Sequence, residues 1–188
     1  MPISRQSWMV LLILLAGVVA LAGCGSGDEP EAAAGPDDSA LQACALFTQK
    51  DAEAAAGLTV SGTLSSTLND VQGPNPLQCT FATGSLLEPG ILSVEIRPAR
   101  NAKRAARLHE AGRGTIERLV QGEVEDVSGV GEGAYWAGGQ LKQLHVVHGR
   151  YQLIITVQPG KNQLAAAKQI ASTVIARMRA QAPPAQTS

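Results

Sequence analysis

The sequence predicts an α+β domain: an antiparallel sheet of meandering strands with helices packed on it. Three observations lead there. Stretches in which apolar and polar side chains alternate, as on a half-buried strand, fall on both sides of one amphipathic helical segment. A second, cleaner helical stretch closes the ordered part of the chain. The strand-like stretches follow one another through short Gly-, Pro- and Asn-containing links, the punctuation of meanders rather than of alternating β-α-β units.

The chain opens with a short head carrying Arg5, followed by an apolar run of 14 residues from Trp8 to Leu21. That run is shorter than the roughly 20 residues a helix needs to cross hydrocarbon, and no basic stop-transfer cluster follows it. A charged head, an apolar middle and small residues before a cut are the parts of a secretory signal, so residues 1–23 are read as removed. Leu21-Ala22-Gly23-Cys24 resembles the lipobox of bacterial lipoproteins. The resemblance implies that the Cys24 thiol receives a diacylglyceryl group and becomes the new N-terminus. An ordinary cleaved signal and a retained anchor are the alternatives. On the lipobox reading the protein sits on the extracytoplasmic face of a membrane, held there by the lipid on Cys24.

Residues 24–40 hold the lipidated cysteine and an acidic linker of Gly, Pro, Ala, Asp and Glu, with nothing large and apolar to bury. Such a composition does not offset the entropy of ordering, so a tether is expected. One domain of ordinary size, residues 41–180, follows, and residues 181–188, with Pro183-Pro184, form a disordered tail. Thr48 three residues ahead of Asp51 is a near-match to a capping box, Ala52 to Ala56 favours helix, and Gly57 supplies a left-handed stop.

Strand character begins at Gly62 to Leu68 and, after a loop from Asn69 to Pro76, continues in Leu77 to Thr83. In the latter Leu77, Cys79 and Phe81 alternate with Gln78, Thr80 and Ala82. In Ile91 to Arg97 the set Leu92, Val94 and Ile96 forms a core face, and Pro98 ends the strand. Asn101 to Val120 is helical. On its wheel Ala105, Leu108, Ile116 and Leu119 share the expected inner side, opposite Arg100, Lys103, Arg104, Arg107 and Arg118. Gly112 and Gly114 leave open whether this is one bent helix or two. Glu123 to Val127 and Ala134-Tyr135-Trp136 are further strands, separated by the glycines 129, 131 and 133. Leu141 to Val147 and Tyr151 to Val157 make a hairpin about His148-Gly149-Arg150. Asn162 to Met178 is the best helix, with Leu164, Ala167, Ile170, Ala171, Val174, Ile175 and Met178 on one arc.

Three short pieces carry a further resemblance: Ala43-Cys44-Ala45-Leu46-Phe47-Thr48, Gln78-Cys79-Thr80-Phe81 and Val130-Gly131-Glu132-Gly133-Ala134-Tyr135. Together they resemble a domain of unknown function common in actinobacterial cell-envelope lipoproteins, itself similar to PsbP-type α/β/α sandwiches. The resemblance spans residues 41 to 178. It implies a surface-exposed, membrane-tethered domain and brings no activity or catalytic residues with it.

With Cys24 taken by lipid, Cys44 and Cys79 remain as an even pair in an oxidising compartment, and a disulfide between them is expected. A catalytic thiol is the alternative, although neither cysteine has a histidine close in sequence. A formal net charge of −1 leaves no basic excess for nucleic acid. No metal is expected: His145 and His148 lie three apart on a strand and face opposite sides, and His109 sits on another element. The Gly129 to Gly133 stretch lacks the following helix that a phosphate loop requires, and Glu123, Glu125 and Asp126 read as a solvated edge. No nucleophile elbow, Ser-x-x-Lys or His-Glu-x-x-His motif occurs. The expectation is therefore a non-catalytic binding or scaffolding domain without cofactor, its partner an envelope protein or lipid. A carrier of an apolar ligand, or a cryptic hydrolase, is the alternative. Candidate binding residues are Arg100, Arg104 and Arg107 on the basic stripe, and Tyr135 and Trp136. As neighbours on a strand, one of the last two is expected in the core and the other exposed.

Overall fold

Period-2 side chains in the middle of the chain build a sheet whose two faces differ in chemistry. The computed structural model describes residue 38 and residues 41–57, 59–63, 77–84, 89–120, 123–158 and 160–181. The apolar run, the lipobox, the loop at 69–76 and residues 182–188 lie outside the described residues. So does the expected linker, except for Asp38. Among the described residues the order is α1 (Ala43–Leu46), α2 (Gln49–Ala56), β1 (Val60–Thr63), β2 (Gln78–Gly84), β3 (Pro89–Pro98), α3 (Ala102–Leu119), β4 (Val124–Asp126), β5 (Gly133–Ala137), β6 (Gln143–His148), β7 (Tyr151–Gln158) and α4 (Gln163–Gln181). This is the α+β class with an open antiparallel sheet, in the order β1-β2-β3-β7-β6-β5-β4. Two meanders, β1 to β3 and β4 to β7, join where β3 pairs with β7. No helix among the described residues is long and apolar enough to cross a membrane.

The register sorts side chains by face. Leu92, Val94 and Ile96 of β3 lie opposite Val157, Ile155 and Leu153 of β7. Leu144 and Val146 of β6 and Phe81 of β2 continue the same face. Onto it α4 lays Ala167, Ile170, Ala171, Val174, Ile175 and Met178, all buried. Each large aliphatic side chain taken from water there contributes about 1.5–3 kcal/mol before entropy is counted. The expected inner arc of α4 is correct, except that Leu164 at its start is only half-buried.

The first two helices are fastened to this layer by polar and covalent ties. The bridge between Cys44 of α1 and Cys79 of β2 is present, with Cα atoms 4.9 Å apart. Beside it the Phe47 and Phe81 rings meet edge to face at 5.3 Å. The capping box of α2 forms as its sequence predicts: the Thr48 hydroxyl accepts from the Asp51 amide at 3.4 Å, and the Asp51 carboxylate accepts from the Thr48 amide at 2.8 Å. Gly57, at φ 63°, ends the helix in the left-handed region. Arg177 of α4 then donates to both Asp51 oxygens, at 2.5 and 2.8 Å, and to the Leu46 carbonyl at 2.8 Å. One carboxylate thus caps one helix and holds another.

The opposite face carries α3, which crosses from the middle of the sheet to its β4 edge. It is one continuous helix, capped by the Asn101 side chain, which accepts from the Arg104 amide at 2.8 Å. Gly112 and Gly114 do not break it. Its contact line is narrower than the wheel predicts: Ala105 and His109 are buried, while Leu108 is 39% exposed and Leu119 72% exposed. The placing of those two leucines inside is corrected. The wheel angle is right, but among the described elements α3 has no helix beside it on this face. A side chain a quarter-turn from the contact line therefore meets solvent.

Two outcomes test these ties. Replacing Cys44 and Cys79 together by Ser should lower the unfolding free energy by about 2–4 kcal/mol, for a loop closed across a sequence separation of 35. A urea midpoint equal to that of the parent protein would contradict it. The Arg177 guanidinium, helped by Thr48 and opposed by burial, holds the Asp51 carboxyl down from 3.8 to about 2. Its folded value lies below its unfolded one, so this stabilisation is complete above about pH 4 and fades as the pH falls towards 2. Asp51→Asn should therefore melt well below the parent protein at pH 6, and the two melting curves should converge near pH 2.

Candidate functional site

The Tyr135-Trp136 pair does alternate across the sheet, but neither side chain is the exposed one that the sequence led us to expect. Tyr135 is 1% and Trp136 8% exposed, which corrects that expectation. Trp136 joins the large core on the α4 face. Tyr135 points the other way, beneath α3, whose Gly112 brings the helix close enough that a Cβ there would lie 3.5 Å from the Tyr135 hydroxyl oxygen. Strand β4, which would have left β5 an edge had it not formed, pairs Glu125 with Trp136 and Asp126 with Tyr135 and closes over both residues.

Under α3 the fold brings together three rings that are distant in sequence. His145 of β6, opposite Tyr135 in the register, stacks on it with centroids 4.7 Å apart and planes 10° from parallel. His109 of α3 tilts against the other side at 4.8 Å. Arg113 lies 5.9 Å from the Tyr135 ring centroid and pairs with Glu117 at 2.8 Å and with Asp126 at 2.5 Å. Asp126 is thus part of an ion pair rather than of a merely solvated edge. Burial pushes the Tyr135 hydroxyl up to about 12, with Glu110 adding to the effect and Arg113 opposing it. Burial also pushes His145 down to about 4, helped by the positive charges of His109 and Arg97. His109 shifts down too, chiefly through burial, against the pull of Glu110. The His145 Nε2 atom is buried and makes no hydrogen bond among the described residues. At neutral pH this is a stack of uncharged rings beside an arginine that is ion-paired to two carboxylates.

Sequence reasoning placed His145 and His148 on opposite sides of one strand and His109 on another element, and went no further. The β5–β6 register that seats His145 on Tyr135 is not written in composition. The position of His109 four residues after the buried Ala105 was the available signal. His148 faces the other side from His145, as expected, and lies 3.3 Å from a Glu132 carboxylate oxygen. Among the described residues no group of three or more His, Cys, Asp or Glu side chains lies close enough together to hold a metal ion.

The glycine-rich stretch before β5 is a turn. Gly131 sits at φ 62°, and a Cβ there would lie 2.4 Å from a Val146 methyl and 2.5 Å from the Val147 carbonyl oxygen. Its neighbour Glu132 accepts from the Gly149 amide at 2.9 and 3.0 Å, which ties this turn to the β6–β7 hairpin. The backbone is occupied in tying the sheet's end together, and a strand follows it.

Arg100, Lys103, Arg104, Arg107 and Arg118 are all exposed, on the side of α3 away from the sheet. The uncovered part of this sheet face forms an open groove of about 320 Å³, lined by Ile91, Ser93, Glu95, Gln143, Ile154 and Thr156 among others. Two further recesses, of about 370 and 280 Å³, flank Glu123 near the end of α3 and beside Trp136. None of the three is lined by the aliphatic residues beneath α4. No protein-family model matches the chain, and comparison with curated proteins and with solved structures gives no match.

The ring stack makes a prediction with a definite sign. The folded value of His145 lies below its unfolded value near 6.5, so the unfolded chain binds the extra proton between about pH 4 and 6.5. Stability from keeping His145 neutral is complete above that window and is lost as the pH falls through it. His145→Phe should flatten the pH dependence, changing the stability difference between pH 7.5 and 4.5 by about 2–3 kcal/mol in urea titrations. An unchanged pH dependence would show that His145 is not held neutral by this packing.

Proposed function

We propose that this chain is an exported, lipid-anchored cell-envelope protein whose α+β domain binds or scaffolds a partner rather than catalysing a reaction. The observation that carries the proposal is the Cys44–Cys79 bridge, with Cys79 fully buried. Structural disulfides form in oxidising compartments outside the cytosol, where a lipobox cysteine would deliver the domain. The bridge also uses both domain cysteines, which removes the thiol nucleophile that was the alternative. The open antiparallel sheet, with α3 on one face and α1, α2 and α4 on the other, is of the α+β class that a PsbP-like layout requires. For the binding role, the exposed basic side of α3 offers a concentration of one charge among the described residues. The buried Tyr135 and Trp136 support the sheet behind it.

The mass of the mature protein tests the anchor. Isolated from membranes of the native host, it should begin at Cys24 and exceed its polypeptide mass by a diacylglyceryl group, and Cys24→Ala should carry no acyl mass. An unacylated mature chain, or one retaining residues 1–23, would contradict the proposal.

A further inference from the structure

The place where the described chain begins shows which side of the domain faces its tether. Asp38 is held at one corner of the fold: its carboxylate pairs with Arg150 in the β6–β7 turn and accepts from the Tyr151 hydroxyl at 3.1 Å. Arg150 also lies over the Tyr151 ring, 4.7 Å from its centroid. The same arginine is tied to the residue just before Arg100. The Ala99 amide donates to the Arg150 carbonyl at 2.8 Å, and the Arg150 guanidinium donates to the Ala99 carbonyl at 3.2 Å. Arg150 therefore links Asp38 to Ala99, three residues before α3 begins at Ala102. There Arg100, Lys103, Arg104 and Arg107 lie exposed, with Leu108 beside them.

From these positions we propose that the N-terminal half of α3 is a membrane-docking surface, which seats its basic ridge and Leu108 on the anionic phospholipid bilayer that carries the anchor. The inference deepens the proposed function and rests on it for the source of the surface. Charge complementarity argues for the occupant, because a cationic helix face flanked by exposed leucine is the pattern of helices that lie in the headgroup layer. On the helix wheel Arg107 and Arg118 lie opposite the buried line of Ala105 and His109. Leu108 and Leu119 are on one flank and Glu110 and Glu117 on the other. The side chains that would be repelled by an anionic surface are thus turned aside. Reach argues for it as well. Cys24 and Asp38 are 14 residues apart in sequence, and even fully extended this span covers only about 50 Å. On the lipid-anchor reading that span limits how far Asp38 lies from the bilayer, and α3 begins near Asp38, across Arg150 and Ala99. Each basic residue brought to such a surface raises binding roughly fivefold.

The test uses the full lipidated protein reconstituted into vesicles of phosphatidylcholine alone, or of phosphatidylcholine with phosphatidylglycerol. An environment-sensitive fluorophore is attached at Leu108→Cys or, as control, at the exposed Lys161→Cys. With Cys24 acylated and Cys44 and Cys79 bridged the introduced thiol is the one that reacts, and in the unanchored arm Cys24 is replaced by Ala so that this still holds. Emission from position 108 should shift to the blue only with phosphatidylglycerol, and should return in high salt or when Arg100, Arg104 and Arg107 are all changed to Gln. Emission from position 161 should not move. Equal emission at position 108 in the two vesicle types, or an equal shift at 161, would overturn the docking. Flotation with phosphatidylcholine vesicles reports the anchor separately. If the chain fails to float, the anchor falls, and the emission at 108 on adding phosphatidylglycerol vesicles to the free chain still decides for or against docking.

Discussion

Leu92, Val94 and Ile96 of β3 stand in register with Val157, Ile155 and Leu153 of β7, and the other elements are arranged around that seam. It joins two meanders that are separate in sequence, and it presents aliphatic side chains without a break on one face only. That face accepts α4, and α4 in turn accepts α1 and α2 through Arg177, Leu46 and Asp51. The register makes the arrangement all-or-none. A slip of one residue along β3 would send Ser93 and Glu95 into the core and turn Val94 and Ile96 outward.

The reverse face has a different character because Ser93, Glu95, Gln143, His145, Gln152 and Thr156 are interspersed there with only a few apolar side chains, among them Val147 and Ile154. Such a surface does not drive a helix down by apolar burial alone. α3 is held by a short line of contacts: Ala105, His109 against Tyr135, and the Gln152 amide donating to the Ala105 carbonyl at 3.0 Å. Its outer side is left to charge. The difference in chemistry between the faces thus separates two duties, one layer fixing the fold and the other presenting a basic ridge at the corner where the chain enters.

Much of this was legible in the sequence where one periodicity dominates. The inner arc of α4, the alternation of β3 and the capping box at Thr48 and Asp51 each follow from local spacing, and the structure reproduces them. The cysteine pair was legible because two thiols left over in a chain read as exported are expected to pair, and the bridge is present. Partnerships set by register were not. Nothing local says that Tyr135 lies opposite His145, or that a third ring from α3 closes on it. The inner placing of Leu108 and Leu119 failed for a related reason: a helical wheel gives angle but not the number of neighbours. Tyr135 and Trp136 were expected to divide between core and solvent because neighbours on a strand face opposite sides. Alternation does not say that both faces of β5 are covered, Tyr135 by α3 and Trp136 by the core beneath α4.

The two-faced sheet is the central claim, and amide hydrogen exchange across the folded domain tests it most directly. Amides of β3, β7 and α4 should exchange only through global unfolding, whereas those of α3 should exchange through a local opening of lower free energy. Exchange from α3 as slow as from α4 would mean that both faces are held equally, and would contradict the account.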